Sequence, residues 1–235
     1  MTGDLDAKSA LRETLPTVFG YIGIAVAFGI TAKANGLSII EITLLSLLTY
    51  AGSVEFVIVS LLAMHAGIWS ILLSVFLVNA RVILMSTVVA PYLSDETMAK
   101  NIWIGTLLTD ETFALSMNKL NYTGRKLNFT WFNVSNLAAY ATWVVSSALG
   151  GILGNLINNP ERYGIGFALV AMFIGLLYLQ VIADRTIKLN LQLTVIGAVV
   201  IMMYLGMTVI PKNGLLLIVT LLGCSIGVVL KHGIK

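Results

Sequence analysis

Long apolar stretches recur along almost the whole chain, and only short polar segments separate them. A helix needs roughly 20 apolar residues to cross the hydrocarbon core of a bilayer. Only 11% of the 235 residues are charged, against roughly 25% in a typical soluble domain. The pattern therefore predicts an all-α, polytopic integral membrane helical bundle. We expect residues 1–235 to form a single domain, with residues 1–15 as a cytoplasmic N-terminal segment.

The apolar stretches predict about eight spans, of which the fourth is the weakest because Thr109-Asp110-Glu111-Thr112 interrupts it. If that stretch is a loop or a re-entrant segment, seven full spans remain. The predicted spans lie near Pro16–Gly36, Ile40–Met64, Ile68–Tyr92, Asn101–Met117, Phe132–Leu156, Gly164–Ala183, Leu189–Ile210 and Gly214–Leu230.

The distribution of basic residues favours eight spans over seven. With eight, one side of the membrane holds nine Lys and Arg residues and the other holds four. The richer side has Lys8, Arg12, Lys119, Arg125, Lys126, Arg185, Lys188, Lys231 and Lys235, and the poorer side has Lys33, Lys100, Arg162 and Lys212. Since loops rich in Lys and Arg stay in the cytoplasm, both termini are expected on the cytoplasmic side of the cell membrane.

Four charged residues, Glu55, Arg81, Asp110 and Glu111, lie near the middle of three predicted spans. A charge at bilayer depth costs at least ~2.5–3.5 kcal/mol unless it is paired or hydrated, and such residues usually mark the path of a polar solute or ion. At ~1.5 Å per helical residue, Arg81 and Asp110 lie at similar depths in consecutive spans. An ion pair between them is predicted, because an Arg guanidinium suits a carboxylate. The pair could carry a translocation path or merely fix the bundle.

Three carboxylates against one Arg leave a surplus of negative charge in the predicted membrane interior. Burial and nearby like charge both favour a protonated carboxyl group, as a proton-coupled carrier requires. Glu55 is the best sequence candidate for the titrating group, because no cation is predicted next to it. Glu111 could face a different direction from Asp110, since consecutive residues lie ~100° apart on a helix.

The segment Ala51-Gly52-Ser53 predicts a break in the second span, which is longer than a crossing requires. A discontinuous helix exposes backbone N–H groups and a positive dipole end that can receive an anionic group such as a substrate carboxylate. The alternative is that Gly52 simply packs against a neighbouring helix. Asn79, two residues before Arg81, is a further site candidate, although ~200° of helix rotation separates the two positions.

Several other function classes have little support in the sequence. No GxxxxGK[ST] phosphate loop is present, so ATP hydrolysis is not encoded here. The basic residues are read as topogenic rather than as a nucleic-acid surface. Cys224, His65 and His232 show no metal-ligand spacing, and no cofactor or metal is expected. An intramembrane enzyme is disfavoured, because adjacent carboxylates diverge on a helix and cannot share one proton. A non-transporting structural subunit remains the alternative to a carrier.

The order and spacing of these motifs resemble the AzlC family, the large subunit of bacterial branched-chain amino acid exporters. The segments that carry the likeness are Pro16, Phe28-Gly29, Gly36-Leu37-Ser38, Ser46, Ala51-Gly52-Ser53, Phe56, Asn79-Ala80-Arg81 and Thr109-Asp110-Glu111-Thr112-Phe113-Ala114. The resemblance implies export of branched-chain or similar apolar amino acids by a lipid-embedded carrier. It also implies a small partner subunit of the AzlD type, with about four spans. Surplus carboxylates favour the proton gradient over an ATPase as the energy source.

The chain departs from the family pattern at two positions. Glu55 stands where the family commonly has Gln, and Val82 stands where the family often has His after the Arg. If the residue at position 55 contacts substrate, a Glu there could change the choice of solute or the coupling ion. Export of a different small amphipathic solute is therefore a second expectation.

Overall fold

The computed structural model describes residues 1–157, 162, 164, 167–183, 187–208 and 212–233, and every regular element among them is a helix, as predicted. The helices are α1 (Ala7–Ala34), α2 (Ile39–Thr49), α3 (Gly52–Ala63), α4 (Ile68–Val89), α5 (Met98–Thr106), α6 (Asp110–Lys119), α7 (Phe129–Leu153), α8 (Ala168–Ala183), α9 (Leu189–Gly206) and α10 (Lys212–Gly233), with a 3₁₀ turn at Ala90–Leu93. The chain forms two compact units, Met1–Leu177 and Tyr178–Lys235. The prediction of one domain stays a prediction.

Four helices in the described part of the chain are long and apolar enough to cross a membrane alone: Ala7–Ala34, Ile68–Leu93, Phe129–Leu153 and Leu189–Gly206. The predicted second and fourth spans are each divided into two short helices, α2 with α3 and α5 with α6. A count of eight complete spans is therefore not confirmed. The predicted sixth span is described only in part, and Arg185, Ile210 and Lys235 of the span and charge predictions lie outside the described residues.

Helices α1 and α7 pack with their backbones in close contact. A Cβ atom built on Gly29 of α1 would lie 2.6 Å from the backbone nitrogen of Gly151, and one built on Gly150 of α7 would lie 2.8 Å from the Cα of Val26. No side chain fits at either position without a shift of backbone. Lipid supplies no hydrophobic drive for helix association, so close van der Waals contact at small residues stabilises this pair.

The break between α2 and α3 lies at Tyr50-Ala51, directly before the predicted Gly52-Ser53 step. Tyr50 has a φ of 40°, a left-handed conformation that ends α2. A Cβ atom on Gly52 would lie 2.6 Å from the Trp143 ring. Both interpretations of Gly52, a helix break and packing against a neighbouring helix, therefore apply, because the residue begins the second half-helix and also packs closely against α7.

The break between α5 and α6 is held by a side-chain cap. Thr109 precedes α6 and its hydroxyl accepts a hydrogen bond from the Thr112 backbone, while the Thr112 hydroxyl accepts one from the Thr109 backbone. This reciprocal pair satisfies two N–H groups that an uncapped helix start leaves open. The polar segment that weakened the fourth predicted span is therefore a helix start.

The prediction that Lys119 is a loop charge is wrong. Its side chain is fully buried and forms an ion pair with Glu13 at 2.7 Å, the Glu13 side chain being 7% exposed. The Lys119 ammonium also donates to the carbonyl oxygen of Thr2, and the Trp131 indole N–H donates to Glu13. The cluster ties the predicted N-terminal segment to α6 and α7, which is why the charge avoids solvent.

In the second unit, α9 and α10 pack against each other at a small residue. A Cβ atom on Gly223 would lie 2.7 Å from a methyl group of Val199. The absence of a side chain at Gly223 therefore allows this close approach of the two helices.

Candidate functional site

A cavity of about 200 Å³ lies in the first unit, beside both helix breaks. Segments from the α2–α3 break and the α5–α6 break supply most of its wall, and α1, α4 and α7 supply the rest. Its lining residues are Tyr21, Thr49, Tyr50, Ala51, Gly52, Ser53, Asn79, Arg81, Val82, Thr106, Leu108, Thr109, Asp110, Glu111 and Trp143. Six of the seven predicted site residues line this one cavity, and Glu55 does not.

The first residues of two half-helices face the cavity. Gly52 and Ser53 begin α3, and Asp110 and Glu111 begin α6. A helix N-terminus carries roughly half a unit of positive charge and free N–H groups. Two such ends at one cavity, next to carboxylates of the same first turns, create a site with both signs of charge.

The predicted ion pair between Arg81 and Asp110 is confirmed by the structure. The guanidinium of Arg81 lies 2.8 Å from the Asp110 carboxylate, and the two side chains are 34% and 19% exposed. The same guanidinium nitrogen donates to the Ser53 hydroxyl at 2.7 Å. Arg81 on α4 thus joins the starts of both half-helices, and its own Nε is buried without a hydrogen-bond partner.

Glu111 shares the cavity wall with Asp110 but makes different contacts. The Tyr21 hydroxyl donates to one Glu111 carboxylate oxygen at 2.6 Å and lies 2.7 Å from the Thr109 hydroxyl. Tyr21 comes from α1 and is 3% exposed. No Lys or Arg among the described residues forms an ion pair with Glu111.

Glu55 is fully buried behind the cavity and outside its lining. Its carboxylate accepts hydrogen bonds from the Ser46 hydroxyl, the Ala51 backbone N–H and the Trp143 indole N–H. None of the ion pairs among the described residues includes Glu55. These contacts connect both sides of the α2–α3 break to α7, so they hold the break in place.

Asn79 and Arg81 both line the cavity, although ~200° of helix rotation separates their positions on α4. Arg81 is long enough to contact Ser53 and Asp110 on two other helices, which brings it to the wall that Asn79 also forms. The side-chain oxygen of Asn79 is buried and has no hydrogen-bond partner.

Sequence reasoning missed three aromatic residues of the cavity: Tyr21, Tyr50 and Trp143. Tyr21 and Trp143 make an edge-to-face contact with ring centroids 5.1 Å apart, and Tyr50 makes another with Tyr140 at 4.7 Å. One signal was available, since Trp143 lies in the middle of its predicted span rather than at an interfacial end. The two Tyr positions carry no such signal.

Comparisons with known proteins agree on one family. The model of the AzlC protein family matches residues 16–157, a stretch that contains every cavity residue. The inner membrane protein YgaZ of Escherichia coli is 28% identical over 179 residues, covering 74% of this chain and 73% of YgaZ. A membrane protein of Helicobacter pylori strain J99 is 30% identical, covering 85% and 86%. The branched-chain amino acid transport protein AzlC of Bacillus subtilis is 28% identical, covering 71% and 65%. No solved structure matches the chain.

Proposed function

The chain belongs to the AzlC family, and we therefore propose that this membrane protein is the large subunit of a secondary transporter that exports branched-chain or similar apolar amino acids. The relative from Bacillus subtilis is named for branched-chain amino acid transport. The observation that carries the proposal is the cavity between two half-helix starts, where the Arg81–Asp110 pair and Glu111 offer both signs of charge.

The cavity suits a zwitterion with an apolar side chain. A carboxylate finds the unpartnered Nε of Arg81 and the positive ends of α3 and α6. An ammonium finds a carboxylate on the same wall. The hydrocarbon part of the solute finds Val82, Leu108 and the aromatic rings. Because the charged groups of the solute replace their hydration with fixed groups of opposite sign, the cost of entering the bilayer interior falls.

The proposal includes four further features of the transporter. It works as a proton-coupled carrier, because the described carboxylates at the cavity, Asp110 and Glu111, outnumber the one cation there, Arg81. It is not an enzyme. It acts in the cell membrane with both termini in the cytoplasm, as the basic residues of the sequence indicate. A small membrane subunit of the AzlD type completes it. It moves its substrate outward, which is the direction that the family resemblance implies.

Counterflow in proteoliposomes tests the proposal. The chain is reconstituted alone and together with a small membrane subunit of the AzlD type, and vesicles are loaded with unlabelled leucine. Uptake of labelled leucine, valine or isoleucine above protein-free vesicles is expected, together with a dependence on an imposed pH gradient. Competition by other amino acids then defines the solute. Absence of exchange for every apolar amino acid, in a folded complex, would contradict the function.

A non-transporting structural subunit makes a different prediction in the same assay. Replacement of both Arg81 and Asp110 by apolar residues would then leave the amino-acid exchange activity of the complex intact. Loss of exchange with retained assembly supports the carrier.

A further inference from the structure

Three charged side chains line the cavity in the described part of the chain, and two of them neutralise each other. Arg81 and Asp110 form an ion pair at 2.8 Å. Glu111 has no such partner among the described residues, and no other Lys or Arg lines the cavity. An ionised Glu111 therefore leaves one negative charge on the wall of an intramembrane cavity. Such a charge is costly unless a cation accompanies it.

The carboxylate of Glu111 is held at one oxygen and open at the other. The Tyr21 hydroxyl donates to Oε2 at 2.6 Å, and the described residues donate no hydrogen bond to Oε1. Tyr21 is 3% exposed, so its ring fixes the orientation of the carboxylate from α1. One oxygen is left for a ligand in the cavity.

Two further acceptors on the same wall lack partners. Tyr50 is 9% exposed and its hydroxyl has no hydrogen-bond partner, and the side-chain oxygen of Asn79 is buried and also unpartnered. Both residues line the cavity. Buried polar groups are nearly always satisfied in native proteins, so unpartnered atoms beside a cavity point to a ligand that supplies the missing hydrogen bonds.

We infer that Glu111 is the group that binds the primary ammonium of the substrate, with the Tyr50 hydroxyl and the Asn79 side-chain oxygen as the accompanying acceptors. An ammonium group has three N–H donors and no acceptor, and this wall offers one carboxylate oxygen and two neutral oxygens without donors. Asp110 is already paired with Arg81, and Glu55 lies behind the wall with three donors of its own. The inference rests on the proposed function for the identity of the substrate.

The test separates the two charged ends of leucine. Binding of 3-methylbutylammonium, which lacks the carboxylate, and of 4-methylpentanoate, which lacks the ammonium, is measured by titration calorimetry on the purified complex. Sodium chloride is titrated as well, because three oxygens could also hold Na⁺. The variants are Glu111→Gln, which keeps the shape and loses the charge, Glu55→Gln as the rival site, and Glu41→Gln as a matched control. Glu41 is exposed at the start of α2, where Gln preserves its capping hydrogen bond.

The expected result is a loss of affinity for 3-methylbutylammonium of at least about tenfold in Glu111→Gln, the size of a lost charged hydrogen bond. Affinity for 4-methylpentanoate should not fall, and Glu41→Gln and Glu55→Gln should match the wild type. Thermal unfolding of each ligand-free variant checks that it is folded. Equal losses for both organic probes, a loss in Glu55→Gln instead, or wild-type binding of Na⁺ but not of the amine would each overturn the inference.

Leucine counterflow separates this inference from the function on which it rests. Amine binding that depends on Glu111, without leucine exchange by the wild type, would overturn the proposed function and leave the cation subsite. Leucine exchange at the wild-type level by Glu111→Gln would overturn the subsite and leave the proposed function.

Discussion

Arg81 holds three helices together through one guanidinium group. It lies on α4, donates to Ser53 at the start of α3 and pairs with Asp110 at the start of α6. Because its side chain is about one-third exposed, the pair is neither fully buried nor screened like a surface pair. Its loss should therefore cost less than the about 3–5 kcal/mol of a fully buried pair and more than the ~1 kcal/mol of an exposed one.

Arg81→Leu should lower the free energy of unfolding by about 1–3 kcal/mol, because Asp110 is left without its counter-charge. Arg81→Leu combined with Asp110→Leu should recover part of that loss while leucine exchange stays abolished. Thermal unfolding in detergent measures the first effect and proteoliposome exchange the second. Ser53→Ala is the control, because it removes one hydrogen bond and no charge. A double variant as unstable as the sum of the single variants would argue against a coupled pair.

Glu55→Gln and Glu55→Leu should behave differently. Gln keeps an oxygen for the Ala51 and Trp143 N–H groups, and the Ser46 hydroxyl can accept from its amide, so stability should stay near that of the wild type. Leu removes the acceptor of all three donors, Ser46, Ala51 and Trp143, at about 1–3 kcal/mol for each donor left unpaired. The pH profile of leucine exchange should be unchanged in Glu55→Gln. A flattened profile would instead identify Glu55 as the coupling group, the role for which it is the best candidate in the sequence.

The sequence predicted the Arg81–Asp110 pair but not the difference between Glu55 and Glu111. The pair follows from the equal depth of two residues in consecutive spans, which helix rise alone determines. The direction of Glu55 depends on the break at Tyr50-Ala51 and on Trp143, which lies 88 residues away. Helix periodicity contains no information about such a distant donor, so the roles of the two Glu residues had to come from the structure.

At the scale of helices, the cavity exists because two spans are interrupted. The break in the second span was predictable, since Gly and Ser follow a stretch that is longer than a crossing. The break in the fourth span shows in the sequence only as a run of polar residues. The same run, Thr109 to Thr112, is equally compatible with a loop and with the helix cap that the structure contains. That both starts face one cavity depends on the packing of α1, α4 and α7, which local sequence does not specify.

Gly150→Ala should destabilise the protein by about 1–3 kcal/mol, because its Cβ would lie 2.8 Å from the Val26 Cα on α1 and neither backbone can shift freely. Gly20→Ala is the matched control in α1, since a Cβ there meets nothing within 4 Å. That change should be neutral or stabilising by up to about 1 kcal/mol, the helix preference of Ala over Gly. Thermal unfolding in detergent compares the two, and equal effects would refute the close contact.

At the scale of the whole chain, the helical class and the family are predictable from the sequence, but the long-range contacts between distant segments are not. Loop-charge counting treats every Lys outside a span alike, so Lys119 was assigned to a cytoplasmic loop. Its partner Glu13 is 106 residues earlier, and nothing in either local segment indicates the other. The predicted count of eight crossings is not confirmed for a related reason, because hydropathy does not reveal where an apolar stretch is divided into half-helices.

Lys119→Met should therefore be among the more damaging substitutions of a basic residue in the first unit. It leaves the Glu13 carboxylate, 7% exposed, without its cation, at a cost of about 3–5 kcal/mol. Lys100→Met is the matched control, because Lys100 pairs with Glu96 at the same 2.7 Å but is 44% exposed. An exposed pair of this kind contributes under about 0.5 kcal/mol.

Glu13→Gln combined with Lys119→Met separates buried charge from lost packing. Gln has one acceptor oxygen where Glu13 has two, so it keeps the hydrogen bond from the Trp131 indole N–H or the one from the Thr2 backbone N–H, but not both. The unpaired buried charge is removed, so part of the stability should return. Thermal unfolding of these three variants and of the wild type in one detergent gives the comparison. If Lys119→Met is no worse than Lys100→Met, the N-terminal segment is not fastened to α6 by a buried charge. If the double variant is no better than Lys119→Met, the loss comes from the other contacts of the Lys119 ammonium, with the Trp131 ring and the Thr2 carbonyl oxygen, rather than from an unpaired Glu13 carboxylate.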